Sequence, residues 1–130
     1  LVRSKAFLAA VAIAVAGGFA VAGSAGAGNV ATTKVTIKAP GGEIYGKVKS
    51  SKPGRCANDR LIKVYREKGG EQGGGDDILV GTDNSELNGD VGQWSIGNPG
   101  VPAGKKVYAK AGRKEGCKRD SSPTIRVEPQ

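Results

Sequence analysis

Between residues 30 and 130, short runs of alternating apolar and polar residues recur between clusters of Gly, Pro, Asn and Asp, and nowhere does a helical period persist. Alternation at period two puts successive side chains on opposite faces of a strand, so the chain is expected to be all-β. The expected strands cover residues 34–38, 43–50, 61–67, 78–82, 92–96, 105–111 and 124–128. The punctuation is Pro40-Gly41-Gly42, Lys52-Pro53-Gly54, the glycine-rich run 69–75, Asn88-Gly89-Asp90 and Asn98-Pro99-Gly100, all of them turn formers. This spacing predicts a seven-stranded antiparallel β-sandwich, and a length of 130 residues suits one domain.

Residues 1–27 read as an address rather than as part of that fold. Arg3 and Lys5 precede an uncharged apolar run over 6–22 that ends in small residues, the layout of a secretory signal peptide. Small-x-small patterns at Ala20-Val21-Ala22 and Ala25-Gly26-Ala27 would release a chain starting at Gly23 or Gly28, the second being preferred. The expected organisation is a cleavable signal peptide helix at 1–27 and a sandwich domain at 28–130. The competing reading is an uncleaved anchor helix, but the run contains Gly17 and Gly18 and sits at the short edge of what crosses about 30 Å of hydrocarbon. After cleavage no stable membrane span is expected, and the protein would be secreted or held at the cell surface.

Export fixes the reading of the two cysteines. In an oxidising compartment an even, widely spaced pair forms a bridge, so Cys56 is expected to pair with Cys117. Closing a loop of roughly 60 residues stabilises a fold by at most about 4 kcal/mol in the chain-entropy picture. A redox pair would instead call for close CxxC spacing and a lowered thiolate pKa.

Alternation also assigns faces. Ile44, Gly46 and Val48 share one side of their strand and Tyr45, Lys47 and Lys49 the other; Ile62 and Val64 oppose Lys63 and Tyr65; Val107, Ala109 and Ala111 oppose Lys106, Tyr108 and Lys110. If these strands lie in one sheet, all three tyrosines share a basic outer face that can stack rings and attract anions. Tyr45, Lys47, Lys49, Lys63, Tyr65, Lys106, Tyr108 and Lys110, with Trp94, are therefore the candidate contacts for an anionic polymer or glycan. The plainer reading is that lysines blunt solvated strands and tyrosines supply β-propensity.

The net charge is +8 and becomes +6 once Arg3 and Lys5 leave, with basic clusters over 47–60 and 105–119. Outside a cytoplasm the matching partners are envelope polymers, acidic glycans, lipid headgroups or extracellular DNA, bound less tightly as salt rises. The same charge also serves solubility alone. No sequence-specific nucleic-acid recognition is expected, because no reading motif is present.

The chain has no His, which excludes histidine-based triads and His-rich metal sites. Two carboxylates can hydrolyse glycosides, but that needs a cleft and one raised pKa, for which a small sandwich is a poor host. No catalytic residue, metal or cofactor is expected. Asp76, Asp77, Asp83, Glu86 and Asp90 invite a calcium reading. Yet Leu87 stands where a ligand oxygen is required and no Glu closes the loop, which favours a polar turn.

Gly46-Lys47-Val48, the strand Leu61-Ile62-Lys63-Val64-Tyr65, Gly81-Thr82-Asp83 followed by Asn88-Gly89 and Gln93-Trp94-Ser95-Ile96, then Pro102-Ala103-Gly104-Lys105-Lys106-Val107-Tyr108, follow a recognisable order. Over about residues 43–128 the chain resembles the carboxypeptidase-regulatory-like or transthyretin-like β-sandwich modules. In these a G-x-V strand, a T-D-x-x-G-x-aromatic segment and a P-x-G-x-Y segment recur. It is also similar to small secreted bacterial proteins that carry a Cys pair in such a module. Cys56-Ala57-Asn58-Asp59-Arg60 replaces the usual Pro-containing segment before the third strand, and the 69–75 insertion is unusual. An immunoglobulin domain fits less well, since Trp94 lies far downstream of Cys56. The resemblance implies an interaction or structural domain without catalysis of its own.

The expected function is thus a non-catalytic secreted or cell-surface module that attaches to an anionic envelope polymer through its Tyr and Lys face. Two alternatives stay open. One is homotypic assembly or adhesion by strand addition at an unpaired edge, 34–38 or 124–128. The other is a weak carbohydrate site on Trp94 and neighbouring tyrosines.

Overall fold

Residues 43–50 realise their alternation one residue at a time: Ile44, Gly46 and Val48 are buried while Glu43, Lys47 and Lys49 are exposed. The computed structural model describes residues 30–130, and the expected signal peptide at 1–27 lies outside them. In chain order the elements are β1 (Thr33–Val35), β2 (Glu43–Ser50), a single helical turn α1 (Pro53–Cys56), β3 (Leu61–Arg66), β4 (Ile78–Asn84), β5 (Glu86–Asn88), β6 (Val91–Gly97), β7 (Lys106–Ala111), β8 (Asp120–Ser121) and β9 (Ile125–Arg126). One sheet has the order β1-β2-β6-β5; the other runs β9-β7-β3-β4, with β8 also on β7. Every pairing between these strands is antiparallel, and an isolated parallel bridge joins Ala31 to Cys117.

The protein is therefore an all-β sandwich, as its patterning predicts. Seven of the nine strands overlap the expected ones, although 34–38 is found as Thr33–Val35 and 124–128 as Ile125–Arg126, and β5, β8 and α1 are additions. Val35, Ile44, Val48 and Trp94 from the first sheet meet Ile62, Val64, Val107, Ala109 and Ala111 from the second to form the core. These side chains are removed from water almost completely, each large one contributing roughly 1.5–3 kcal/mol.

Two glycines let backbone pass through this core. A Cβ on Gly46 would sit 1.9 Å from the Thr36 carbonyl oxygen, and one on Gly92 would sit 2.1 Å from that of Ala57. Ser85 marks the corner where the chain leaves β4 for β5 and so changes sheet. It is buried, its N–H donates to the Arg60 carbonyl at 3.0 Å, and its hydroxyl donates to the Ala57 carbonyl at 2.6 Å.

Cys56 and Cys117 are joined, with Cα atoms 5.7 Å apart, as the export argument expects. Beside the bridge the side chain of Arg60 is 1% exposed. Its Nη1 donates to Thr33 Oγ1 at 3.1 Å and to the Cys56 carbonyl at 3.0 Å. Its Nη2 donates to the carbonyls of Gly112 at 2.7 Å and Lys118 at 2.8 Å. Burial alone pulls its pKa below the usual arginine value.

Gly46→Ala and Gly92→Ala are expected to cost about 1–3 kcal/mol each in urea unfolding, because the facing atoms are backbone and cannot swing away. Gly54→Ala, with nothing within 4 Å of the added methyl, is the control and should be close to neutral.

Candidate functional site

The strands that carry the three tyrosines do not share a sheet. β2 belongs to the first sheet, whereas β3 and β7 belong to the second. The single basic face expected from the sequence is thus divided between two outer faces: Tyr45, Lys47 and Lys49 on one, and Lys63, Tyr65, Lys106, Tyr108 and Lys110 on the other.

On the second face the rings of Tyr65 and Tyr108 stack with centroids 5.5 Å apart. Tyr108 is nevertheless buried, because the glycine-rich loop before β4 folds over it. The Tyr108 hydroxyl donates to Asp77 Oδ2 at 2.5 Å, and the Gly73 N–H donates to both groups, at 3.1 Å and 2.8 Å. The Lys68 N–H donates to Asp77 Oδ1 at 3.1 Å. Gln72 pins the loop from its other side, donating to the Ser122 carbonyl at 2.8 Å and to Thr124 Oγ1 at 2.9 Å. Lys106 is committed as well: its ammonium lies 3.2 Å from Glu67 and donates to the Gly69 carbonyl at 3.1 Å. Tyr108 and Lys106 are therefore parts of a loop latch rather than ligand contacts. Lys63 and Lys110 stay exposed and stand directly opposite each other in the ladder.

Trp94 is also a correction. It is 2% exposed and belongs to the core. On β6 it alternates with exposed Gln93 and Ser95, so it faces inward beside Gly92 and Ile96. The space that a Cβ on Gly46 would fill is bounded by its ring at 2.7 Å. Its indole cannot stack on a sugar.

The first face holds a concavity of about 1050 Å³. Pairing lays its floor in rows: Lys38 beside Tyr45 beside Ser95, and Lys47 beside Gln93 beside Glu86. Tyr45 is half-buried at the centre, while Lys47, Lys49, Gln93, Glu86 and Asn88 are exposed. Glu43 and Asp83 complete the rim, Asp83 accepting the Ser95 N–H at 2.8 Å. Lys47 and Lys49 thus stand on β2 together with Glu43, and Glu86 lies across the floor from them, with amide and hydroxyl side chains between. Lys38, Gln93, Ser95 and Asn88 are not among the ligand contacts expected from the sequence, where Glu86 and Asp83 figure only in the calcium reading. The period of β6 places Gln93 and Ser95 outward; Lys38, which bridges Tyr45 beyond the end of β1, and the neighbours on β5 depend on pairing that no local pattern reveals.

No protein-family model matches the chain, and the curated proteins contain no match to it. Among the described residues no helix is long and apolar enough to cross a membrane, and the disulfide is compatible with an extracellular location.

The latch makes stability depend on pH at both extremes. Burial first, and then the bond to Asp77, push the Tyr108 hydroxyl up to about 12. An unfolded tyrosine titrates near ~10, so this stabilisation is complete below about pH 10 and lost as pH rises through about 12. Asp77 is held below the usual carboxylate range, chiefly by the Tyr108 hydroxyl. Its contribution is present above about pH 4 and lost as pH falls through the lowered value. Tyr108→Phe is expected to flatten the alkaline limb of the melting temperature against pH; an unchanged limb would mean that the latch does not set it.

Proposed function

We propose that the protein is a non-catalytic, exported binding module whose concave first face takes an acidic glycan of the cell envelope. The observation that carries this reading is the chemistry of the concavity. A half-exposed tyrosine supports a sugar ring, Lys47 and Lys49 meet its carboxylates, and Gln93, Ser95, Asn88 and Glu86 bond its hydroxyls. The resemblance to transthyretin-like modules and the bridge between Cys56 and Cys117 support the same reading. Binding would be shallow and electrostatic, so its affinity should fall with added salt.

The test is titration of the protein with an acidic oligosaccharide such as oligogalacturonate. K47E/K49E is expected to weaken binding at least tenfold, and Tyr45→Ala several-fold, while K63E/K110E on the opposite face leaves it unchanged. Equal loss from both pairs of charge reversals would show that net charge, not this concavity, attracts the ligand.

A second reading rests on β4. It has a strand partner on one side only, and Ile78 and Leu79 on it are 47% and 50% exposed. An apolar open edge is a template for strand addition, although the register shift opposite Val64 and Tyr65 bends it. The expected edges within 34–38 and 124–128 also end their sheets, and β4 is the one that carries two large exposed apolar side chains. Sedimentation velocity separates the two readings. Assembly predicts a concentration-dependent dimer that Leu79→Lys abolishes, and the glycan reading predicts a monomer at every concentration.

A further inference from the structure

The two basic stretches of the sequence meet at one end of the sandwich. The Cys56–Cys117 bridge joins the α1 turn to the loop between β7 and β8. Lys52 and Arg55 come from the first, and Arg113, Lys114, Lys118 and Arg119 from the second; all are exposed except the half-buried Lys114. The contact between the loops is direct. The Lys114 ammonium donates to the Asn58 carbonyl at 3.3 Å, and the Arg55 guanidinium lies against Gly116, 2.9 Å from where a Cβ would stand.

Arg60 sets the spacing of this end. Three of its acceptors are the carbonyls of Cys56, Gly112 and Lys118. Each belongs to a residue next in the chain to an exposed arginine: Arg55, Arg113 and Arg119. One buried guanidinium thus gathers the backbone beneath three exposed ones. Its acceptors are all neutral, and its Nε has no partner. Among the described residues the only ion pair is Lys106 with Glu67, on the latch side of the fold, so the arginines here are not neutralised by carboxylates within 4 Å. The acids of this end are exposed Asp59 and Glu115 and half-buried Asp120, which accepts the Val35 N–H at 2.7 Å. A buried, uncompensated cation below a cation-rich surface leaves a strong excess of positive potential.

We propose that this end is a second binding surface, distinct from the glycan concavity, and that it takes a linear phosphodiester polymer. Arginine's planar fork matches two oxygens of one phosphate, whereas lysine acts as a point charge. The concavity has lysines and no arginine on its lining, and this end has three arginines on a common support. Arg55, Arg113 and Arg119 engage successive phosphates, with Lys52 and Lys118 adding charge. The inference needs the protein to meet such a polymer but not the concavity to bind a glycan.

The experiment uses a base-free poly(glycerol phosphate) oligomer, oligogalacturonate of matched charge, and phosphatidylglycerol vesicles. The phosphodiester oligomer is expected to bind at least tenfold more tightly than galacturonate to K47E/K49E, in which the concavity is disabled. R55E/R113E/R119E should abolish that binding, and the charge-conserving R55K/R113K/R119K should weaken it several-fold while leaving galacturonate binding by the otherwise unaltered protein unchanged. Loss of three phosphate contacts lowers the slope of log affinity against log salt by about 2. A far-ultraviolet spectrum and melting curve confirm that each variant folds. Equal affinity for galacturonate at this end, full retention by the lysine variant, or binding to vesicles with none to the oligomer would each overturn the proposal. Failure of galacturonate to bind the unaltered protein would instead count against the concavity alone.

Discussion

A single buried guanidinium holds together the part of the structure on which the rest depends. Arg60 ties β1 through Thr33, the α1 turn through Cys56, and both arms of the loop around Cys117 through Gly112 and Lys118. Its own backbone is fixed against Ser85, at the corner between the two sheets. A hydrocarbon side chain there would remove the donor from the buried Cys56 carbonyl, at roughly 1–3 kcal/mol for an unmet buried group, and from two further carbonyls and a hydroxyl that are part-buried. The disulfide restrains the same segments covalently. Arg60 does something the bridge cannot: it spaces three strands of backbone at once and places charge beneath the surface they form.

The two outer faces differ because of what lies across them. On the second sheet the loop before β4 occupies the tyrosine stack, so aromatic surface is spent on holding an insertion that carries its own glycines. Gly73 and Gly75 there have φ of +73° and +97°, a conformation that side-chain-bearing residues rarely adopt. On the first sheet nothing among the described residues covers β2 and β6, and the floor remains open. The division of labour is thus a consequence of topology: β2 and β3 are neighbours in sequence but lie in opposite sheets, linked by the α1 turn and the Arg60 segment.

Much of this was legible in the chain itself. Residues 43–50 and 105–111 alternate cleanly, and each becomes a strand with the expected buried face, apart from Tyr108. The disulfide followed from compartment and count. Short elements escaped: β5 is three residues of Glu, Leu and Asn, and β8 is two, too brief for any period to register. Trp94 is buried where a ligand contact is expected, although its alternation with exposed Gln93 and Ser95 already points it inward. Tyr108 is buried for a different reason, since its cover comes from a loop some thirty residues away. Arg60 carried no signal at all. An arginine between Asp59 and Leu61 reads as surface charge, and only the convergence of distant carbonyls makes it an interior residue.

The most direct measurement is the unfolding free energy of the oxidised protein with Arg60→Met and with Arg60→Lys, each compared with the unaltered chain. Methionine approximates the length of the side chain without its donors, and lysine keeps the charge but not the fork. The account predicts a loss of more than about 3 kcal/mol for methionine and a smaller but clear loss for lysine, with the disulfide intact in both. Stability within about 0.5 kcal/mol of the unaltered protein in both variants would contradict it, and the organising role would pass to the Cys56–Cys117 bridge alone.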